Sequence, residues 1–326
     1  MIKMMISYLN ISGIFDNDKE ELFSESSIEK ERLNKILSLN KSNKHSFSKG
    51  NEENGDISNK KELIDKIVKE IKEETSLDSI RLVPGKNVKT DDDMKNRTKT
   101  KIGGNPYWPA DKPYPKNNGK ELMLFAQLNL SQIPKLQDYP TKGILQFFVN
   151  DIDKDDATVV YHENIVSEDK MLKDIPNSTI DKDIYGSGDK YSPISGVYFP
   201  TFSKEETYIS FEETSGVDKI FIDLLVEKVN KYFKTEYTVS NIPNDIWDEA
   251  IDKLHGGYGT RIGGHPYLIQ GDPRTNAKKK YDTVLLQLDS ESGMKWGDNG
   301  IAHFFINKQD LENKKFDNIF FSWACY

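Results

Sequence analysis

The side chains best suited to chemistry lie close together in the C-terminal third: Gln270, Asp272, Arg274, Gln287, Asp289 and Asp298. Three carboxylates beside an arginine and two amides form a donor set for a hard cation or for acid–base work. A geometric reading competes with the chemical one. Asp272-Pro273 and Asp298-Asn299-Gly300 have turn composition, where Asp and Gly serve backbone shape, and Trp296 would cover the end of a sheet. A second group is aromatic. Trp108-Pro109 through Pro113-Tyr114-Pro115 reads as a surface loop whose rings could meet a ligand or partner. The candidate binding residues are therefore Trp108, Tyr114, Gln270, Asp272, Arg274, Trp296 and Asp298.

No catalytic residue is assigned. The chain has no Gly-x-Ser-x-Gly elbow, no His-Glu-x-x-His and no phosphate loop ending in Lys-Ser/Thr. Gly257–Gly264 misses the dinucleotide fingerprint because Ile262 stands where the third glycine is needed. His162, His265 and His303 lack metal-ligand spacing. Asp91-Asp92-Asp93 lacks the glycine and spacing of a calcium loop and reads as a solvated run. No cofactor and no metal are expected.

The elements that would position these groups come in two copies. Lys101-Ile102-Gly103-Gly104-Asn105-Pro106-Tyr107 answers Arg261-Ile262-Gly263-Gly264-His265-Pro266-Tyr267. Gln127, in the strand Leu122–Leu130, answers Gln287, in Leu285–Asp289. Ile102 and Ile262 are 160 residues apart, and so are Gln127 and Gln287. Such spacing predicts an internal duplication with strands conserved in position and loops variable. Gly103, Gly104, Gly263 and Gly264 read as backbone turns, since glycine tolerates positive φ. Gln127 and Gln287, polar among apolar neighbours, must find partners. The facing Gly-Gly loop or the sister unit would supply them. Further strands are expected at Gly143–Val149, Thr158–Tyr161, Thr207–Phe211 and Asn318–Ala324.

Helices are expected at Asn59–Thr75, Asp218–Phe233 and Asn244–Leu254. The first carries Leu63, Ile64, Ile67, Val68 and Ile71 on one stripe and should pack on a sheet. Ser26 and Glu29 suggest a weaker helix start, and Asn40–Asn59 reads as a linker. Residues 83–100 read as irregular. The organisation expected is an N-terminal extension over 1–58, partly helical or disordered, and one domain over 59–326. That domain holds two β-rich units, about 98–165 and 257–326, with a helical and loop-rich connection. The fold class is α+β: internally duplicated, mainly antiparallel β-sheet units, continuous or face to face, with a few packed helices.

Totals narrow the function classes. The 326 residues carry a net charge of −8, which disfavours nucleic-acid binding because no counterion release is gained. Lys278-Lys279-Lys280 reads as a solvated loop. No stretch is apolar over about 18 residues, so no membrane span is expected. One cysteine, Cys325, fits a reducing compartment.

These motifs carry a resemblance. The chain resembles the YwqG-like family (DUF1963) of bacterial proteins. The matching residues are Lys101-Ile102-Gly103-Gly104-x-Pro106-Tyr107-Trp108-Pro109, Phe125-Ala126-Gln127-Leu128 and Gly143-x-Leu145-Gln146-Phe147-Phe148. The second half adds Ile262-Gly263-Gly264-x-Pro266, Gln270-x-Asp272-Pro273-Arg274, Leu285–Asp289, Trp296-Gly297-Asp298 and Phe304-Phe305-Ile306. The match runs from about residue 59 to the end. It implies a mixed α+β fold, a cytoplasmic location and no established reaction. Members that occur near toxin systems imply a protein-binding, immunity-like role. The expected function is a non-enzymatic binding or protein-interaction module. The alternative is a metal-assisted or acid–base enzyme using Asp272, Asp289 and Asp298.

Overall fold

The computed structural model describes residues 54–152, 156–180, 182–184, 191–213 and 221–326. The N-terminal readings before residue 54, and Asp218–Ile220, lie outside them.

The described chain divides into two compact units. One holds residues 54–76 and 208–255 and is helical: α1 (Asn54–Thr75), α3 (Phe221–Phe233) and α4 (Asn244–Asp252). The apolar stripe of α1 is buried as expected, but not on a sheet. Ile64, Ile67, Val68 and Ile71 pack with Phe221, Leu224, Leu225, Ile246 and Trp247. Helices α3 and α4 present matching apolar faces, so helix-on-helix burial satisfies all three. Asn59 is interior to α1, one turn beyond its start at Asn54, and does not cap it. Glu70 receives Tyr232 Oη–H and Lys231 Nζ–H on the outside of this packing.

The other unit holds residues 77–207 and 256–326 and is a sheet. Its strands are β1 (Leu77–Asn87), β2 (Lys101–Gly103), β5 (Met123–Asn129), β6 (Ile144–Asp151), β7 (Asp156–His162), β8 (Val197–Thr207), β9 (Arg261–Gly263), β10 (Thr283–Asp289), β11 (Ile301–Ile306) and β12 (Ile319–Ala324). A small hairpin, β3 (Lys116–Asn117) and β4 (Lys120–Glu121), stands apart. Short helices α2 (Thr90–Met94) and α5 (Lys308–Glu312) complete the elements. The ten strands form one continuous antiparallel sheet in the order β12-β11-β10-β9-β1-β8-β2-β5-β6-β7. The fold is thus α+β.

The sheet curls until its two edges approach. Trp323 Nε1 on β12 donates to the Ile152 carbonyl beyond β6 at 3.0 Å, and the Tyr161 ring on β7 lies 5.3 Å from Phe316. The concave face holds the core, where Phe147 meets Phe304 at 5.0 Å and Phe125 meets Trp296 at 5.6 Å.

The centre of the sheet is the ribbon of β1 and β8, paired from Leu77↔Thr207 to Pro84↔Pro200. Residues 83–87, expected to be irregular, belong to it. So do 197–207, where a strand was expected only from Thr207; that strand ends at Thr207, and residues 208–211 form none. The ribbon escapes a pattern search because much of it is exposed, and Ile80 and Leu82 are nearly its only large buried residues on β1. Pairing across it is crossed. Strand β1, which precedes β2 in the chain, pairs with β9 at Ser79↔Gly263, while β8, which precedes β9, pairs with β2 at Gly103↔Val197.

Both Gly-Gly turns leave the ribbon here with left-handed backbone: φ is +68° and +78° at Gly103 and Gly104, +66° and +74° at Gly263 and Gly264. The space is also closed. A Cβ on Gly104 would sit 2.6 Å from Val197 Cγ2 and 2.9 Å from Asp93 Oδ2. Gly119, at the hairpin tip, has φ +79° with nothing within 4 Å. Gly119→Ala should therefore cost only the left-handed backbone term, about 1–2 kcal/mol. Gly104→Ala should cost more, because a packed core must also shift, adding about 1–3 kcal/mol. Urea midpoints of the two variants check the order.

Candidate functional site

Each strand set is organised by one buried glutamine. On β5, Gln127 Nε2 donates to the carbonyls of Arg97 and Lys99, both at 2.8 Å, and its Oε1 accepts from Tyr107 N at 2.7 Å. On β10, Gln287 Nε2 donates to the carbonyls of Gly257 at 2.7 Å and Gly259 at 2.8 Å, and its Oε1 accepts from Tyr267 N at 2.9 Å. A carboxamide has two donors and one acceptor oxygen with two lone pairs, and each one is used to tie the segment entering the glycine turn to the segment leaving it. The partners are backbone groups, as expected. They belong to the approach to β2 and β9 and to the tyrosine after the turn, not to the paired turn glycines (103–104 and 263–264) or to the sister set. The glycines only let the chain double back.

The fourth bond differs between the sets. Gln146 on β6 donates from Nε2 to Gln127 Oε1 at 2.8 Å and to the Tyr107 carbonyl at 2.6 Å. His303 on β11 takes the corresponding place. Its Nε2 lies 3.0 Å from Gln287 Oε1, and the Tyr267 backbone carbonyl also holds the ring. Burial, with Arg274 nearby, pushes His303 down to about 3, so the ring is neutral near pH 7 and has one hydrogen for two acceptors. His162 extends the first network through Gln146 Oε1 at 3.0 Å. Its other nitrogen is buried with no partner, between the edges of Tyr107 and Trp108, and burial lowers it to about 4.

Charged groups surround both turns. Asp93, expected to be solvated, is fully buried. It pairs with buried Lys101 and accepts from Asn105 N at 2.8 Å and Asn105 Nδ2 at 3.0 Å. Burial lowers Lys101 to about 8, with Asp93 opposing. The sequence run hides this, because Asp91 and Asp92 are exposed and only the third aspartate turns inward on α2. Arg261 occupies the place of Lys101 and bonds Ser79 Oγ at 2.8 Å and Glu205 at 3.2 Å. Arg81 grips both carboxylate oxygens of Glu291, at 3.1 and 2.5 Å, while Glu291 Oε1 accepts from Thr260 N at 2.8 Å.

The three candidate carboxylates have different surroundings. Asp272 is closed on Arg274, whose Nε and Nη2 donate at 2.9 Å each, and the guanidinium lies 4.7 Å from the Phe305 ring centre. Asp289 accepts from Gly259 N at 2.8 Å and Ser290 N at 2.7 Å, and burial raises its pKa. Asp298 is exposed in the turn that Gly300 N closes onto the Trp296 carbonyl at 2.7 Å. Among the described residues no group of three His, Cys, Asp or Glu side chains converges as metal ligands. Trp296 is in the core beside Phe125 and Phe321. The Trp108 loop is at the surface from Ala110 to Pro113, but its rings are turned inward. Trp108 is buried among Leu122, Leu124 and Phe148, with Tyr114 half-buried against it. A run of prolines and aromatics fits a packed cover as well as an exposed loop, and the strand beneath it is apolar.

What remains open is the ground outside the second turn. Tyr267 packs against Tyr258, with ring centres 4.3 Å apart and planes tilted by 44°, and its hydroxyl lies 3.0 Å from that of Tyr326. Tyr258 is 50% exposed and Tyr326 46%. Gln270 donates to the Cys325 carbonyl, and Tyr326 N reaches the Asp298 carbonyl at 3.4 Å, so two of the seven candidates border this patch. In the first set the matching tyrosine is hidden. Tyr107 is buried with Ile144, Met171 and Val166, and its hydroxyl accepts from Val166 N at 2.9 Å. The segment after β7 lies over it, bonding through Leu172 N to the Trp108 carbonyl. Nothing in the spacing of the three tyrosines, at 258, 267 and 326, marks them as neighbours.

A family model for a domain of unknown function, DUF1963, matches residues 100–325. The chain belongs to this family. The matched span takes in both glycine turns, both glutamines and Tyr258 and Tyr267, and ends one residue before Tyr326, while β1 and α1 precede it. Among curated proteins none matches. No helix among the described residues is long and apolar enough to cross a membrane.

Two predictions follow from the networks. Gln287→Leu strands the Gly257 and Gly259 carbonyls and Tyr267 N, each costing about 1–3 kcal/mol, whereas His303→Gln supplies the amide pair that Gln146 supplies and should stay within about 1 kcal/mol of wild type. Chemical denaturation measures both. The second concerns pH. His162 and His303 are neutral when folded and titrate near 6.5 when unfolded, so the unfolded chain binds more protons below that value. Stability is full above about 6.5 and falls as pH drops toward about 4 and about 3. Denaturation midpoints across pH 7 to 4 should slope downward, and His303→Gln should flatten the slope.

Proposed function

We propose that this protein is a non-enzymatic binding module, and that it binds through the Tyr258–Tyr267–Tyr326 patch. The observation that carries this reading is the difference between the two sets. The tyrosine after the first Gly-Gly-x-Pro turn is sealed under the segment after β7, while its counterpart leads into two half-exposed rings. Half-exposed tyrosines joined to one another bury much area at small entropic cost when a partner arrives. Asp272 and Asp289 are each engaged by partners of their own and Asp298 is exposed, which favours binding over the enzyme alternative.

The two strand sets read best as copies of one ancestral unit. Equivalent backbone groups meet Gln127 and Gln287. Ser79 faces Gly263 and Val197 faces Gly103, and Val83 pairs with Thr201 at the middle of the ribbon. Ser79 and Val197 are as far apart in sequence as Val83 and Thr201, which is the register a twofold axis through the ribbon requires. On this reading the second copy kept its outer face open for a partner. A cytoplasmic protein of the immunity kind, whose partner is a toxin, is one form the function takes.

The test is affinity capture from native lysate with wild type and with Tyr258→Ala/Tyr326→Ala. Both side chains are half-exposed, so the variant should keep its melting temperature within a few degrees, as surface changes cost about 0.5 kcal/mol each. A specific protein held by wild type and lost at least tenfold in the variant is the expected result. Equal capture by both, or none by either, sinks the reading.

A further inference from the structure

The chemistry around the tyrosine patch selects a class of partner. Three kinds of group face outward there. The first is the Tyr258 ring, whose neighbour Tyr267 holds it in place. The second is the Asp298 carboxylate, exposed in its turn and free of any ion pair among the described residues. The third is the Gln270 amide oxygen, left as an acceptor because the amide nitrogen is used on the Cys325 carbonyl. Rings with carboxylate and amide oxygens are complementary to a flat cation rich in N–H donors. A guanidinium has that form. It stacks on a tyrosine face, donates in a fork to a carboxylate and is more weakly hydrated than an ammonium.

The same unit already pairs cations with rings close to the patch in sequence. Arg274 lies over Phe305 at 4.7 Å, Lys278 over Phe320 at 4.0 Å and Lys280 over Tyr281 at 4.9 Å. Tyr258, half of whose surface meets solvent, keeps area for a cation from another molecule. The net charge of −8 favours the encounter with a basic surface and steers it.

We infer that the patch takes an arginine-rich segment of a protein partner, with one guanidinium on Tyr258 and further N–H donors of the segment on the Asp298 carboxylate and the Gln270 amide oxygen. This rests on the binding reading above and specifies its ligand.

The probe is a hexa-arginine peptide, blocked at both ends, titrated calorimetrically into the full chain. Hexa-lysine, hexa-glutamate and maltohexaose serve as comparators. Tyr258→Ala leaves net charge unchanged, so it separates the ring from general attraction to an acidic protein. Asp91→Asn, on the exposed face of α2, reports that general attraction. The expected result is saturable one-to-one binding of hexa-arginine, at least fivefold tighter than hexa-lysine. It should weaken tenfold or more in Tyr258→Ala and severalfold in Asp298→Asn, and hold within twofold in Asp91→Asn. Equal affinity for wild type and Tyr258→Ala overturns the inference, as does absence of saturation or Tyr258-dependent binding of maltohexaose instead. If lysate capture depends on Tyr258 and Tyr326 while hexa-arginine fails, the arginine assignment falls and the binding site stands.

Discussion

A carboxamide in an apolar strand is the constraint on which the sheet unit depends. Gln127 and Gln287 are each fully buried, and an amide moved out of water without partners is costly. The chain meets that cost by bringing two backbone segments to the side chain, one entering the glycine turn and one leaving it. Once the amide is fixed, the turn has one shape, the tyrosine after it has one position, and the next strand has one place to dock. The left-handed glycines, the inward Asp93 and the paired arginines on the second turn follow from keeping that doubled-back segment dry and neutral. Replacing such a network with apolar groups would require all of its members to change together, which explains why both sets keep it while the loops around them differ.

Much of the sheet was legible because burial writes itself into sequence. Strands β5, β6, β10 and β11 are buried on both sides over most of their length, and runs such as Leu285-Leu286-Gln287-Leu288 declare this. The ribbon of β1 and β8 was not legible. Its outer half faces solvent, Pro200 lies within it, and its register comes from partners more than a hundred residues away. Helix α1 was visible by its stripe, yet a stripe says only that one face is buried. It does not say whether a sheet or other helices bury it, and here Phe221, Leu225 and Trp247 do.

The site residues divide along the same line. Gln127, Gln287 and the four turn glycines were readable because both sets contain them. The binding candidates were chosen by residue type, and type misled where a side chain finds its match close by in sequence. Arg274 finds Asp272 two residues away, and Trp108 finds Tyr114 six residues on. Tyr258, Tyr267 and Tyr326 meet only after the strands between them are paired, so no local pattern could single them out. Asp93 shows the converse case, in which three like residues in a row have different surroundings on a single helical turn.

The crossed pairing of the central ribbon has a consequence for synthesis. Ser79 on β1 has Gly263 as its neighbour on one side and Glu205 on the other. At a ribosomal rate of about 5–20 residues per second, β1 waits roughly ten to forty seconds for its second neighbour to be made. From the completion of β8 until β9 is made, the ribbon has a bare edge on β1. The charged and exposed outer half of the ribbon, which obscures it to pattern reading, also discourages one nascent chain from pairing with another.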